Sequence, residues 1–201
     1  MRVKLGIRIG LGGLGLVFSE FKAGSVAVVE LVIGDISCVE ADVIVNAANS
    51  SLLGGLGVDG AIHSRGGSEI LEQCKKLRAT VWPDGLPTGC AAITSAGNLK
   101  AKYVIHTVGP IWRGGLQGEA ELLKMAYWNS LKLAASHAIK TVAFPSISTG
   151  AYGYPVKEAS CVALKTIKKF FEKETSIEKV YMVLFSEQNF NIYLDAAKQF
   201  F

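Results

Sequence analysis

Apolar and polar positions along this chain follow two different spacings. Short β-branched or alternating runs, typical of strands, cover residues 3–9, 26–33, 43–45, 91–94, 103–108, 141–144 and 180–185. Longer segments with apolar residues three or four positions apart, typical of helices, cover residues 61–78, 119–137, 155–173 and 189–200. Because strands and helices alternate, the pattern predicts an α/β fold with a largely parallel sheet covered on both faces.

Three polar or glycine-rich loops follow predicted strands, at residues 34–37, 46–60 and 146–154. In parallel α/β sheets, ligands bind at the carboxyl ends of the strands, in the loops that lead into helices. We therefore expect these loops to build one binding site.

The second of these loops has the character of a phosphate site. Its glycines, at positions 54, 55, 57 and 60, allow the backbone to approach a ligand closely, and the loop leads directly into a helix. The free N–H groups at a helix start suit a pyrophosphate. Asn46, Asn49 and Asp59 add polar side chains that a plain linker would not need. The loop predicts a site for a phosphorylated ribose compound.

The loop at 146–154 also has the character of a phosphate site. Ser148, Thr149, Gly150 and Gly153 offer hydroxyl groups and close backbone approach before the next helix. Tyr152, between small residues, is read either as an aromatic that stacks on a sugar or as a core side chain.

Two further residues each have a functional and a structural interpretation. Asp35 follows a strand and either accepts a hydrogen bond from an exocyclic amine such as that of adenine or caps the next turn. His63 lies four residues after Asp59 and either steadies that carboxylate or a ligand hydroxyl, or only packs.

The glycines at positions 10, 12 and 15 match G-x-G-x-x-G, but no convincing helix follows them. We predict a tight hairpin turn there and no dinucleotide site. We interpret lysines 157, 165, 168, 169 and 173 as the solvent-exposed face of a helix rather than a surface that binds nucleic acid.

Composition fits a single domain that binds a small anion. The chain has 201 residues, 50% of them hydrophobic, and a net charge of +4 without a long basic run. The four cysteines form no C-x-x-C pair, which predicts core thiols in a reducing cytoplasm, with no disulfide framework or zinc site. We also expect no metal site from the three histidines and interpret His106 as a hydrogen-bonded core residue.

The N-terminus has basic residues before an apolar run at 9–18, which faintly resembles a signal peptide. The run is rich in glycine and lacks a convincing cleavage site, so we predict a cytoplasmic protein. No segment reaches the roughly 18 apolar residues of a membrane span.

The loops resemble those of the macrodomains, specifically the MacroD-type branch of bacterial O-acetyl-ADP-ribose deacetylases and mono-ADP-ribosyl hydrolases. The matching stretches are VIGDI at 32–36, IVNAANSSLLGG at 44–55, GVDGAIH at 57–63, HTVGPIWRGG at 106–115 and FPSISTGAYGYP at 144–155. The resemblance covers residues 26–201 as one macrodomain. It leaves residues 1–25 as an extension that either adds an edge hairpin or contacts another subunit.

This resemblance implies a three-layer α/β/α sandwich with a mixed, largely parallel sheet that binds ADP-ribose without a cofactor or metal. Asp35 and the N–H of Ile36 would hold adenine, Asn49 the distal ribose, and Tyr152 would pack on that ribose. Asp59 would activate a water. The remaining predicted ligand contacts are Asn46, Gly54, Gly55, Leu56, Gly57, Val58, His63, Ser148, Thr149, Gly150, Ala151 and Gly153.

Leu56 departs from the family, whose loop commonly has glycine there. A positive φ at Leu56 would carry strain of about 1–3 kcal/mol. We therefore expect either hydrolysis of O-acetyl-ADP-ribose or of mono-ADP-ribosylated protein, or a reader module that binds ADP-ribose without useful catalysis.

Overall fold

The structure is a computed structural model that describes residues 4–10, 13–22, 25–172 and 175–201, with side chains described from Val28 onward. Its eight strands are β1 (Lys4–Gly10), β2 (Gly13–Lys22), β3 (Ser25–Ile33), β4 (Val43–Ala48), β5 (Ala91–Ser95), β6 (Tyr103–Val108), β7 (Thr141–Pro145) and β8 (Lys179–Leu184). Its helices are α1 (Gly57–Gly66), α2 (Ser68–Thr80), α3 (Glu119–Ser136), α4 (Val156–Phe170) and α5 (Glu187–Phe200). A short 3-10 turn covers Ile36–Cys38.

All eight strands form one mixed sheet in the order β1-β2-β3-β8-β7-β4-β6-β5. The five central strands from β3 to β6 are parallel, while β5 and the β1–β2 pair are antiparallel to their neighbours. This confirms the predicted largely parallel sheet. It also brings the loops after β3, β4 and β7 to the same edge.

Two apolar cores cover the two faces of the sheet. Along β4, Val43 and Val45 pack with the core that contains residues of α3, α4 and α5. Ile44 and Ala48 pack with the other core, against α1 and α2. Because neighbouring strand residues point to opposite faces, Asn46 lies on the α1–α2 side. The three-layer architecture is confirmed.

One predicted element was wrong. Residues 61–78 form parts of two helices, because Gly67 separates α1 from α2 with φ 84° and ψ −175°, a conformation that is essentially restricted to glycine. In addition, α1 begins at Gly57, which places Asp59 inside its first turn. Pro155 was predicted within the first turn of α4 but is its N-cap.

The predicted hairpin turn near Gly10 falls partly on residues 11 and 12, which lie outside the described residues, as does the predicted end of a helix at 173. β1 and β2 pair from Lys4 with Ser19 to Gly10 with Gly13. Among the described helices, none is long and apolar enough to cross a membrane.

Candidate functional site

A cavity of about 510 Å³ opens at the carboxyl ends of the central strands, a volume typical of small-ligand sites. Its wall combines the end of β4, the start of α1, the residue after β6 and the loop after β7. The lining residues are Ala47, Ala48, Asn49, Gly55, Leu56, Gly57, Val58, Asp59, Gly109, Ser146, Ile147, Ser148, Gly150, Ala151 and Tyr152.

Asp59 is 4% exposed, and its two carboxylate oxygens have different surroundings. Oδ1 accepts a hydrogen bond from Asn46 Nδ2 at 2.6 Å and lies 3.4 Å from His63 Nε2. Oδ2 lies 3.4 Å from Asn49 Nδ2 and faces Gly55, where a Cβ would stand 2.9 Å from it. Burial raises the pKa of Asp59, although the hydrogen bond from Asn46 and the charge of His63 oppose that rise. A carboxylate of raised pKa on a cavity wall suits general-base chemistry.

The side chain of Asn49 is fixed from both ends. Its Nδ2 donates to the carbonyl oxygen of Gly54 at 2.9 Å, and its Oδ1 accepts from the backbone N–H of Ser51 at 3.0 Å. This holds the start of the glycine loop closely against the end of β4.

Behind Asp59 lies a buried polar layer that consists of Asn46, Cys74, Thr94 and His106. His106 Nδ1 is 3.1 Å from Asn46 Nδ2, and its Nε2 is 2.9 Å from Thr94 Oγ1 and 3.6 Å from Cys74 Sγ. Burial lowers the pKa of His106 to about 3 and raises the pKa of Cys74 to about 12. The layer is therefore neutral, and His106 is the hydrogen-bonded core residue that its strand position predicts.

Donor atoms of His63, Cys74 and His106 lie within 4.8 Å of one another. Their spacing along the chain gives no sign of this cluster. The cluster offers three donors where structural zinc sites have four, and both ring nitrogens of His106 already have hydrogen-bond partners. The donor set thus fits a hydrogen-bonded core better than a metal centre.

The first turn of α1 faces the cavity with its N–H groups. Its N-cap, Leu56, makes no side-chain hydrogen bond to them. Two glycines make the approach of the loop feasible: Gly57 has φ 62°, and a Cβ on Gly60 would stand 2.6 Å from the carbonyl oxygen of Gly55. An uncapped helix start of this kind has free N–H groups that suit an anion.

The loop after β7 presents a hydroxyl group without a partner. Ser148 has φ 67°, is 7% exposed, and its buried Oγ makes no hydrogen bond. A Cβ on Gly109 would stand 2.1 Å from that oxygen, so only glycine fits there. Thr149, in contrast, uses its hydroxyl to donate to the carbonyl oxygen of Ser146 at 2.9 Å. Buried hydroxyls normally have a hydrogen-bond partner, so the Ser148 hydroxyl is available to a ligand.

Tyr152 lies on the cavity wall and is half-buried. Its carbonyl oxygen accepts from the backbone N–H of Trp112 at 2.8 Å, which ties the β7 loop to the segment after β6. Burial raises the pKa of the Tyr152 phenol, and the nearby charge of Asp59 adds to that rise. The phenol is therefore neutral and presents a ring to the site.

The carboxyl ends of β3 and β8 lie side by side and are paired up to Ile33 and Leu184. Asp35 Oδ1 accepts from the backbone N–H of Ser37 at 2.9 Å and from its hydroxyl at 2.7 Å, so Asp35 caps the 3-10 turn. Phe185, directly after β8, is 83% exposed. Phe185 thus follows the strand end that pairs with the one before Asp35, and the sequence did not single it out.

The Macro domain family model matches residues 45–163, which include the glycine loop and most of the cavity wall. The chain belongs to the macrodomain family. This macrodomain is 54% identical to a macro domain-containing protein of Caldanaerobacter subterraneus over 85% of this chain and 96% of that protein. It is 51% identical to the O-acetyl-ADP-ribose deacetylase of Escherichia coli K12, over 82% of this chain and 92% of the relative.

Solved structures agree with this assignment. A macrodomain of Oceanobacillus iheyensis, solved with ADP, is 42% identical, covers 92% of this chain and 96% of its own, and has a TM-score of 0.85. A Trypanosoma brucei macrodomain in complex with ADP-ribose is 34% identical over 83% of this chain and 68% of its own, with a TM-score of 0.75.

The macrodomain brings most of the predicted ligand contacts to one cavity. Those that line it are Asn49, Gly55, Leu56, Gly57, Val58, Asp59, Ser148, Gly150, Ala151 and Tyr152. Those that are not part of its lining are Asp35, Ile36, Asn46, Gly54, His63, Thr149 and Gly153. Asn46 is completely buried, so we correct its predicted role from ligand contact to support of Asp59.

Sequence reasoning missed Gly109 and Phe185. Gly109 stands in the family stretch after β6, but its importance depends on the contact with Ser148, which only the fold creates. Phe185 was assigned to the last residue of a strand, whereas β8 ends at Leu184.

The concern about Leu56 is resolved by its backbone. It has φ −106° and ψ 175°, an extended conformation open to any residue, and its side chain is 95% exposed. Leu56 therefore carries none of the strain considered for a positive φ, and its side chain turns outward at the cavity mouth.

Proposed function

We propose that this macrodomain binds ADP-ribose and hydrolyses its esters. It would remove the acetyl group from O-acetyl-ADP-ribose, mono-ADP-ribose from acidic residues of proteins, or both. The observation that carries the proposal is Asp59, a buried carboxylate on the cavity wall with one oxygen held by Asn46 and the other next to Asn49 and Gly55. The name of the Escherichia coli relative and the nucleotides in the solved neighbours support the same ligand class.

The ligand would lie along the carboxyl edge of the sheet. Adenine would meet Asp35 and stack on Phe185, while the diphosphate would bind the N–H groups of the first turn of α1 and accept from the Ser148 hydroxyl. The distal ribose would lie between Asn49 and Tyr152. Of these residues, Asn49, Ser148 and Tyr152 line the cavity.

The reaction follows from the geometry of Asp59. Its Oδ2 would accept a proton from a water as the water oxygen bonds to the acetyl carbonyl carbon, and the ribose oxygen would leave as a hydroxyl with acetate as the other product. For a protein ester, attack at the anomeric carbon would release the carboxylate of the protein. General-base help of this kind contributes a rate factor of about 10²–10⁴.

The base must be ionised, which gives the pH dependence a sign. Because burial raises the pKa of Asp59, the rate should fall as pH drops through that raised pKa rather than through the ordinary aspartate range. We expect kcat/KM for O-acetyl-ADP-ribose to show an acidic limb displaced to higher pH than that of an exposed carboxylate.

The decisive test is an assay with O-acetyl-ADP-ribose and with mono-ADP-ribosylated glutamate or aspartate protein. The unmodified protein should turn over at least one of them, and Asp59→Asn, which keeps the shape of the side chain, should lose about 10²-fold or more. Asp195→Asn serves as the matched control, since Asp195 is exposed on α5 and does not line the cavity. Equal rates for the unmodified protein and an Asp59→Ala, Asn49→Ala double variant would exclude the hydrolase.

Tight ADP-ribose binding without turnover in the same assay would instead identify a reader module. Undetectable ADP-ribose binding by calorimetry would exclude both functions. We also propose that the protein works in a reducing cytoplasm, because Cys38, Cys74, Cys90 and Cys161 are all free thiols.

A further inference from the structure

The buried polar layer behind Asp59 has a defined place in the sheet. Asn46 on β4 and His106 on β6 are directly paired, and both lie on the face that α1 and α2 cover. Thr94 on β5 lies on the same face, next to the residue paired with His106. All three are 3% exposed or less, so their hydrogen bonds are closed to solvent.

The direction of each hydrogen bond in this layer can be assigned. The Thr94 hydroxyl donates its single hydrogen to the carbonyl oxygen of Ser95 at 2.9 Å, so toward His106 it can only accept. His106 Nε2 therefore carries the proton, and Nδ1 keeps a lone pair that accepts from Asn46 Nδ2.

The same assignment fixes the amide of Asn46. Its Nδ2 has two hydrogens, one for His106 Nδ1 and one for Asp59 Oδ1. Its Oδ1 has no hydrogen-bond partner, so no contact of the oxygen determines the orientation. A rotation of the amide by half a turn would direct that oxygen at two acceptors, which is unfavourable in a buried site.

We propose that His106 is a positioning residue for hydrolysis: its Nδ1 lone pair fixes the Asn46 amide so that Nδ2 holds Asp59 Oδ1 and leaves Oδ2 for the attacking water. His106 lies outside the cavity lining and acts only through Asn46. This inference rests on the proposed hydrolase function. It adds to that function His106, a residue of β6 whose side chain does not line the cavity.

The first test compares variants at His106 that differ in one acceptor. His106→Leu removes the lone pair at similar volume, while His106→Asn places an amide oxygen near the position of Nδ1. We expect kcat of the leucine variant to fall by about 10-fold to 100-fold and the asparagine variant to recover most of it. The ADP-ribose Kd should change little in both. His137→Leu, an exposed histidine remote from the cavity, is the matched control.

The pH profile separates positioning from a general loss of structure. The titratable groups around Asp59 are His63, Cys74 and Tyr152, and the hydrogen bond from Asn46 lowers the pKa of Asp59. Loss of that bond in His106→Leu should move the acidic limb of kcat/KM to higher pH. An unchanged limb, or equal losses in the leucine and asparagine variants, would overturn the proposal.

A second measurement needs neither a variant nor activity. In protein with ¹⁵N-labelled histidine at pH 7, the side chain of His106 should show a protonated Nε2 and an unprotonated Nδ1 by NMR. The opposite tautomer, or an imidazolium, would overturn the proposal even if the enzyme is active. A failure of the hydrolase function would appear separately, as absent turnover in the unmodified protein.

Discussion

Leu56 and Ser148 both line the cavity, but only Ser148 has a backbone conformation that is unusual for its residue type. Leu56 replaces a glycine common in the family, yet it is extended and its side chain is 95% exposed. Ser148 takes a positive φ that favours glycine, and its hydroxyl is buried without a hydrogen bond. A strained residue with an unsatisfied group is typical of a functional position rather than a packing position.

We therefore expect different outcomes for two small substitutions. Ser148→Ala should weaken ADP-ribose binding by about 0.5–1.5 kcal/mol, the usual contribution of one hydrogen bond, without lowering the free energy of unfolding. Leu56→Gly should change the affinity by no more than about 0.5 kcal/mol, as for other exposed positions. Calorimetry and urea denaturation measure both quantities. A larger loss for Leu56→Gly than for Ser148→Ala would contradict the geometry described for this wall.

The boundary between α1 and α2 at Gly67 could not be predicted from the spacing of apolar residues. Apolar residues continue at helical spacing from Ile62 to Leu77, which predicts one helix, but Gly67 turns the chain between α1 and α2. Hydrophobic spacing reports which face is buried and says little about a single backbone reversal between two helices on the same face. Seven of the eight described strands and the three loops were predicted because their signals are local, whereas β2 was not predicted as a strand.

Gly67→Ala should destabilise the protein by about 1–3 kcal/mol, since its φ and ψ are strained for alanine. A Cβ there would also stand 3.0 Å from Asn98 Nδ2. Gly34→Ala is the matched control, because no atom lies within 4 Å of its Cβ position and its φ is not in the positive region. Thermal and urea unfolding of both variants test this. Equal free energies of unfolding for Gly67→Ala and Gly34→Ala would mean that the backbone between the two helices accepts alanine without strain.

The whole sheet sets the two ends of the site apart. β3 and β8 carry Asp35 and Phe185 on one side, while β4 and its neighbours carry Asp59 on the other. The sequence predicted both ends from loops that follow strands. It could not predict the pairing of Asn46 with His106 or the exposure of Phe185, because strand order and register are set by contacts between distant segments.

This separation predicts ligand-selective losses. Phe185→Ala should weaken ADP-ribose by about 1–3 kcal/mol, the usual contribution of an aromatic stack on a base, while ribose 5-phosphate should bind as before. Asp35→Ala should show the same selectivity with an added loss of stability, because Asp35 also caps the 3-10 turn. Calorimetry with both ligands decides this. Equal losses for the two ligands would place adenine elsewhere.

The free hydroxyl of Ser148 and the uncapped start of α1 have a consequence for the lifetime of the protein. The Ser148 hydroxyl is buried without a partner, and the first turn of α1 forms only in the folded chain, so a ligand that uses both would bind the folded chain selectively. Free ligand at about a hundred times its Kd adds roughly 2.7 kcal/mol to the free energy of unfolding. Resistance to proteases would then rise and fall with the cellular supply of ADP-ribose, which couples the abundance of this macrodomain to the demand for it.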